Sequence, residues 1–317
     1  MQIKRRQFIQ VSATATAAAL WANATAVAEK RNGIPYRTLG RTGEKVSLLG
    51  LGGNHIDGRQ NVDEAKCVQV VRTAIDEGIN FMDNARSYND GQGERNMGKA
   101  LRDGYRDKVF LMSKTRKRNG KEARQELEET LRNFGVDHID LWHVHAIESE
   151  VDIESAYADD GVLPVAIKAR EEGLVRFIGF SGHDYPAVHA SMIDHGHLWD
   201  AVQMPLNPLD FHHELSFEKV VVPKAIEKNI AILAMKTNGG GGILKGKSAS
   251  AEDCQRYAMS LPVATVIRGM PTLEILHKNL EVARNFEPMT PAEMDAMRAR
   301  TAEEGRAGDL EAYKAGI

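Results

Sequence analysis

Four side chains of this 317-residue sequence have the types needed to protonate a carbonyl oxygen: the Asp83 carboxyl, the Tyr88 phenol, the Lys114 amine and the His145 imidazole. They stand in Met-Asp83-Asn-Ala-Arg-Ser-Tyr88, Met-Ser-Lys114 and Asp-Leu-Trp-His-Val-His145, each just past an apolar run of strand length. A free phenol is a poor acid at neutral pH, with a reference pKa near ~10. A neighbouring ammonium favours the phenolate and lowers that value, and a carboxylate keeps the ammonium charged and in place. An imidazole can then orient the carbonyl. Such a set delivers a proton and needs a hydride source beside it. A lone lysine at a strand end is usually a surface residue, and a lone histidine usually a hydrogen-bonded core residue. Four such residues at consecutive strand ends favour a site.

The elements that must position them alternate. Apolar runs at Val46–Gly53, Asn80–Asp83, Val109–Ser113, Ile139–Val144, Val175–Ser181, Ala201–Met204, Ala231–Met235 and Ala264–Ile267 lack polar alternation and read as strands buried on both faces. Stretches of helical period separate them, among them Asp63–Glu77, Lys121–Phe134, Phe217–Lys228 and Thr272–Phe286. About eight β-α units over this length predict an α/β fold, a single-domain (β/α)8 TIM barrel with right-handed crossovers. In such a barrel the functional face lies at the C-terminal ends of the strands, where all four residues fall. Thr290 to Ile317 is charged and helix-prone, a tail expected to pack across the barrel or its rim.

The totals are compatible with a large core: 42% of residues are hydrophobic. A net charge of −3 from 41 basic and 44 acidic residues, with no basic stripe, argues against nucleic acid as a partner. The basic run Lys114 to Lys121 reads as a solvated edge. Two cysteines, Cys67 and Cys254, have no metal-site spacing, and a disulfide between them is unsupported.

Lys4-Arg5-Arg6-Gln7-Phe8-Ile9-Gln10 resembles a twin-arginine export signal, and the Ala/Thr-rich stretch from Val11 to Ala22 is too short and weakly apolar for a membrane span. Ala26-Val27-Ala28 has the form of a signal-peptidase site. The expected division is therefore 1–28 as signal and 29–317 as the barrel with its helical tail. The resemblance implies passage through the twin-arginine export machinery as a folded protein and a periplasmic location.

Longer motifs carry a family resemblance from about Tyr36 to about Glu287. Arg37-Thr-Leu-Gly-Arg-Thr-Gly43, Gly78-Ile-Asn-Phe-Met-Asp83, Gly93-Glu-Arg-Asn-Met-Gly-Lys-Ala-Leu101, Asp137-His-Ile-Asp-Leu-Trp-His-Val-His145 and Gly173-Leu-Val-Arg-Phe-Ile-Gly-Phe-Ser181 together make the chain similar to the aldo-keto reductases. The first motif resembles the hairpin that plugs the barrel floor. The resemblance implies an enzyme that reduces an aldehyde or ketone with NADP, or with NAD. Tyr88 would be the general acid, Lys114 would lower its pKa, Asp83 would pair with Lys114, and His145 would donate to the substrate carbonyl.

For the cofactor, the resemblance implies Gly53, Ser181, Gln203, Met235, Lys236, Thr237, Asn238, Gly269 and Asn279 as contacts. Ser181 and Gln203 match positions that hold the nicotinamide carboxamide, Met235 the position of a stacking aromatic, and Asn279 an adenine-binding asparagine. Lys236 and the glycines from Asn238 to Gly242 would approach the pyrophosphate, since glycines allow close approach and N–H groups can point at oxygens. Two departures stand out. Gly182 replaces the usual asparagine, and Gly269 and Ile275 stand where basic residues grip a 2′-phosphate, with Arg268 and Lys278 offset from that spacing.

The mouth is expected to be lined by Asn54, His55, Tyr88, Trp142, the loop from Asn207 to Glu214 and the tail. Trp142, His212 and His213 point to a sugar or aromatic carbonyl, and His212-His213 can equally be a surface pair with no third metal ligand. An alternative function is a nucleotide-binding redox sensor or regulatory subunit that does not turn over. An iron–sulfur protein is excluded by ligand count, because no cysteine follows Cys254.

Overall fold

A computed structural model describes residues 19–56, 58, 63–196, 198–214, 216–311 and 313–314. The expected signal motif at Lys4–Gln10 lies outside the described residues. Eight parallel strands close into a barrel: β4 (Leu49–Gly52), β5 (Phe81–Asp83), β6 (Phe110–Thr115), β7 (Ile139–Val144), β8 (Val175–Ser181), β9 (Ala201–Pro205), β10 (Ala231–Met235) and β11 (Thr265–Arg268), with β11 pairing back onto β4. All eight expected strands are present, and the fold is the (β/α)8 barrel that the alternation predicts.

Before the barrel, β1 (Glu29–Arg31), β2 (Ile34–Thr38) and β3 (Lys45–Ser47) form a small antiparallel sheet. It is the expected plug. Leu39 and Val46 join Phe81, Phe110, Met112, Leu141, Ala201, Ala231 and Leu233 in one interior cluster. Arg37 is buried and donates to the carbonyls of Met259, Leu261 and Val263 at 2.8–2.9 Å, which ties the plug to the last turn before β11.

Side chains alternate across each strand, so one parity fills the barrel and the other meets the helices. On β7, Leu141 lies in the interior cluster while Trp142 and Val144 join the larger cluster shared with helices such as Gly120–Phe134 and Val162–Glu171. The connection after β7 holds a helix that the periodicity did not predict, Glu150–Tyr157, started by the Ser149 hydroxyl accepting from Asp152 N–H. The basic run before Gly120 meets acids: Arg118 pairs with Asp152 at 2.8 Å and Lys117 with Glu122 at 3.3 Å. Cys67 and Cys254 are both buried, and among the described residues neither is in a disulfide.

The tail forms the helix Pro291–Ala307, opened by a reciprocal Thr290–Glu293 cap, and then turns over the glycine-rich loop after β10. A side chain at Gly242 would collide with the Leu310 carbonyl, and one at Gly240 would meet the Tyr313 ring at 3.3 Å. Among the described residues no helix is long and apolar enough to cross a membrane. No His/Cys/Asp/Glu cluster among them could hold a metal ion.

Candidate active site

Strand pairing brings the charged pair Asp83 and Lys114 together. Asp83 ends β5, Lys114 lies near the end of β6, and the registers β5–β6 and β6–β7 aim both side chains into the barrel mouth. The Lys114 ammonium donates to Asp83 Oδ1 at 2.5 Å, to the Asn84 carbonyl at 2.7 Å and to Tyr88 Oη at 3.3 Å. An ammonium has three protons and no acceptor, so all three are placed, and the phenol oxygen is the acceptor in its contact. The phenol's own proton is therefore not spent on Lys114. Burial works against the charge on Lys114, and the Asp83 carboxylate outweighs it, holding the amine above the ordinary lysine range.

Tyr88 is carried on a loop that the neighbouring strand holds down. Asn84 N–H donates to the Met112 carbonyl and Arg86 N–H to the Lys114 carbonyl, each at 3.1 Å. The Arg86 guanidinium spans Glu129 and Asp90 at 2.8 and 2.9 Å. The helix that follows, Gln92–Ala100, is anchored by buried Glu94, which accepts from Ser113, Thr130 and Asn133 at 2.6–2.8 Å. In the same motif Gly98 is required by close packing: a Cβ there would lie 2.5 Å from the Phe134 carbonyl.

His145 follows β7 and borders the cavity, with Nδ1 2.9 Å from the Ser181 hydroxyl at the end of β8. Burial first, then the charge of Lys114, keeps its pKa well below the usual histidine range, so the ring is neutral. With Nδ1 taken by Ser181, Nε2 is the nitrogen left for a ligand.

These groups open on a cavity of about 770 Å³. Its wall includes Asp83, Tyr88, His145, Gln203, Asn54 and His55, and it runs on past Met235, Lys236, Thr237 and Asn238 to Gly269 and Asn279. Twelve residues singled out from the sequence thus share one cavity. Four do not border it. Lys114 lies behind Asp83 and Tyr88, buried to 1%. Ser181, expected to meet the nicotinamide, is fully buried off the cavity wall, with its hydroxyl 2.9 Å from His145 Nδ1. Gly53 sits beneath the wall, where a Cβ would come within 2.5 Å of Asn84 Nδ2.

Trp142 requires the firmest correction. It was expected at the mouth and lies 1% exposed between β7 and the helices, on the face opposite to His145. The two flat histidines are corrected as well. His212 stands against Thr301 and Gly305 of the tail helix, and His213 contacts Glu311 at 2.7 Å, so neither borders the cavity.

The cavity suits a dinucleotide in three respects. Gln203 donates to Asp83 at 3.3 Å, but its buried Oε1 has no hydrogen-bond partner among the described residues, an acceptor ready for an amide N–H. Lys236 borders the cavity and has no ion-pair partner among the described residues, its ammonium lying 5.5 Å from the centre of the Tyr313 ring. Its backbone has φ +54, and Gly239, Gly240 and Gly241 follow at +59, +65 and +98, an unusual run that bends the main chain around the cavity edge.

Among the wall residues not identified from the sequence as site residues are Arg268 and His183. Arg268, 7% exposed, donates to Thr237 at 2.6 Å, Asn238 at 2.7 Å and Asn279 at 2.9 Å. It braces three expected cofactor contacts and is spent in doing so. His183 borders the cavity two residues beyond β8. Gly182, where the resemblance led to an asparagine being expected, has no room for a side chain: a Cβ would lie 2.5 Å from the His189 ring and from the Ile147 carbonyl.

The sequence model of the Aldo/keto reductase family matches residues 48–256. The chain belongs to the aldo/keto reductase family. It is 33% identical over 159 residues to "Aldo-keto reductase YhdN" of Bacillus subtilis, covering 46% of each chain. It is 32% identical over 161 residues to "L-galactose dehydrogenase" of Arabidopsis thaliana, covering 47% of this chain and 49% of that one. The match spans about half the length of these relatives. Among solved structures, an aldo-keto reductase from Bacillus halodurans in its holo form aligns with TM-score 0.72 and 21% identity over 84% of this chain and 96% of the other. A Pseudomonas aeruginosa aldo-keto reductase structure aligns with TM-score 0.63 and 27% identity over 78% and 94%. The chain therefore carries the barrel of this family, with His183 on its cavity wall.

Proposed function

We propose that the chain reduces an aldehyde or ketone, a sugar-type carbonyl foremost, to the alcohol by NAD(P)H-dependent hydride transfer, with Tyr88 as general acid. The observation that carries this reading is the three-way contact of the Lys114 ammonium with Asp83, the Asn84 carbonyl and the Tyr88 oxygen. Negative charge that develops on the phenol as it gives up its proton meets a fixed positive charge, with no reorganisation of solvent. His145 Nε2 donates to the substrate oxygen and sets its angle. Ser181 supports that role by occupying Nδ1.

Bound reduced nicotinamide supplies the hydride. Gln203 would hold its carboxamide, Met235 would lie against its ring, and Lys236 with the backbone of Asn238 to Gly241 would receive the phosphates. Asn279, Thr237 and Gly269 would shape the adenosine side. NADP is the family default and NAD the alternative. Arg268 is already engaged by three side chains and Lys278 pairs with Glu274 at 2.7 Å, which weighs toward the alternative. The name of the Arabidopsis relative is consistent with a sugar substrate.

The location belongs to the same proposal. Arg5 and Arg6 would direct export of the folded chain, and the nucleotide would enter the cavity before transport and be retained. The test is purified protein assayed with NADPH and NADH against aldehydes, ketones and oxidised sugars. Oxidation of nucleotide with carbonyl present is the expected result. Tight nucleotide binding with no turnover on any carbonyl would favour the sensor reading instead.

A further inference from the structure

We infer that His183 selects the substrate by binding a hydroxyl group on the carbon next to the reacting carbonyl, so that α-hydroxy aldehydes and ketones are preferred. The inference rests on the carbonyl-reductase reading and names the substrate class of that site.

The His183 ring borders the cavity with its centre 6.0 Å from that of His145, the two planes inclined at 70°. On its other flank the Tyr313 ring of the tail packs at 6.4 Å, also edge-on. His183 thus stands on the cavity wall beside His145, with Tyr313 of the tail packed against it. A substrate held by His145 and extending along this wall meets the His183 ring. Its ring nitrogens have no hydrogen-bond partner among the described residues. The backbone before it is clamped, because His189 and the Ile147 carbonyl fill the space around Gly182, and this fixes the direction in which His183 projects.

The chemistry of the ring decides what it can bind. Burial, with Lys236 adding its charge, drives the His183 pKa down to about 3, so at neutral pH the imidazole is uncharged and offers one donor and one acceptor. A hydroxyl group also donates and accepts. An alkyl group would leave both ring nitrogens unpaired, and a carboxylate would call for a cation. Two hydrogen bonds of ~2.9 Å, one from each imidazole, can converge on oxygens borne by adjacent carbons. Lys236, whose charge bears on the His183 ring, is assigned in the proposed function to the nucleotide phosphates.

The test compares 2-hydroxypropanal with propanal, which share a carbon skeleton and differ by the hydroxyl. Each is assayed with wild type, His183→Phe and His183→Gln. Wild type is expected to favour the hydroxyaldehyde by about 30-fold in kcat/KM, the scale of a polar group left unpaired in a closed site. In His183→Phe that ratio should fall to within about three-fold of unity, and His183→Gln, which keeps a donor and an acceptor, should restore part of it. A ratio that His183→Phe leaves intact overturns the inference. So does an equal loss on both aldehydes, which would mean that the ring only supports His145. If wild type reduces neither aldehyde, nor any other carbonyl, the reductase reading fails first and takes the inference with it.

Discussion

Ser181 Oγ lies 2.9 Å from His145 Nδ1, joining the ends of two adjacent barrel strands. The contact determines which imidazole nitrogen faces the cavity. Nε2 can donate to a carbonyl only if it carries the ring's single proton, and then Nδ1 must accept, which makes Ser181 the donor. Ser181→Ala should therefore lower kcat/KM for carbonyl reduction by about 10-fold, the scale of one neutral hydrogen bond. Nucleotide affinity should not change, because the hydroxyl is not on the cavity wall. Fluorescence titration with NADPH and NADH, beside steady-state rates, separates this from a cofactor contact.

Asp83→Asn should be more damaging than its size suggests. The Lys114–Asp83 pair is almost completely buried, with 1% and 4% of the two side chains exposed. Removing one partner leaves a buried ammonium uncompensated, a loss of about 3–5 kcal/mol. The linkage sign follows from Lys114, whose pKa is raised in the folded protein. Its contribution to stability is complete below the unfolded lysine value of about 10.5 and is lost as pH rises through the folded value. Thermal unfolding from pH 8 to 11 should show a steeper alkaline decline in wild type than in Lys114→Met.

Histidines govern the acid side. His189 is pushed down to about 4 and His183 to about 3, chiefly by burial, and His143 and His145 are also held well below the ordinary histidine value of 6.5. These groups contribute stability at pH above 6.5, and it is lost as pH falls toward their folded values because the unfolded chain takes up protons first. For fully buried His189 the loss at pH 5 is about 2 kcal/mol. The Tm should fall between pH 7 and pH 5, and His189→Phe should flatten that fall. Stability equal at the two pH values would contradict the neutral buried rings.

Arg268→Met should loosen the adenosine side of the cavity. Thr237, Asn238 and Asn279 all lose a charged donor, so nucleotide affinity should drop by about 10- to 100-fold. Isothermal titration with NADP and NAD would measure it.

Export is testable apart from chemistry. Arg5→Lys combined with Arg6→Lys should leave the protein in the cytoplasm on cell fractionation, with the purified protein as active as wild type. Unchanged appearance in the periplasm would contradict the twin-arginine expectation.

Most of the barrel was legible because parallel strands are buried on both faces and read as unbroken apolar runs, while the helices between them show one apolar stripe. Asp83, Tyr88, Lys114 and His145 were legible for a related reason: strand ends on one face must converge when the sheet closes. Trp142 was misplaced although the chain held the correction. It stands three residues before His145, and an odd offset on a strand sends two side chains to opposite faces. Leu141, His143 and His145 share the inward parity. His183 and Arg268 were harder to read. Past Ser181 the period of two ends with the strand, so no pattern says where residue 183 points. Arg268 showed itself as a cation near the adenosine side, but its three side-chain partners come from separate segments that meet only after closure. The helix Glu150–Tyr157 was missed because its apolar stripe is short, with only Ile153 and Ala156 buried.

The central claim is that the Tyr88 hydroxyl gives its proton to the carbonyl oxygen while nicotinamide supplies the hydride. The most direct test is a single-turnover comparison of wild type with Tyr88→Phe, both preloaded with reduced nucleotide and mixed with a carbonyl that wild type reduces. Nucleotide binding should be retained and the oxidation rate should drop by about 10²- to 10⁴-fold, or about 3–5 kcal/mol of barrier. Near-normal turnover in Tyr88→Phe would contradict the account.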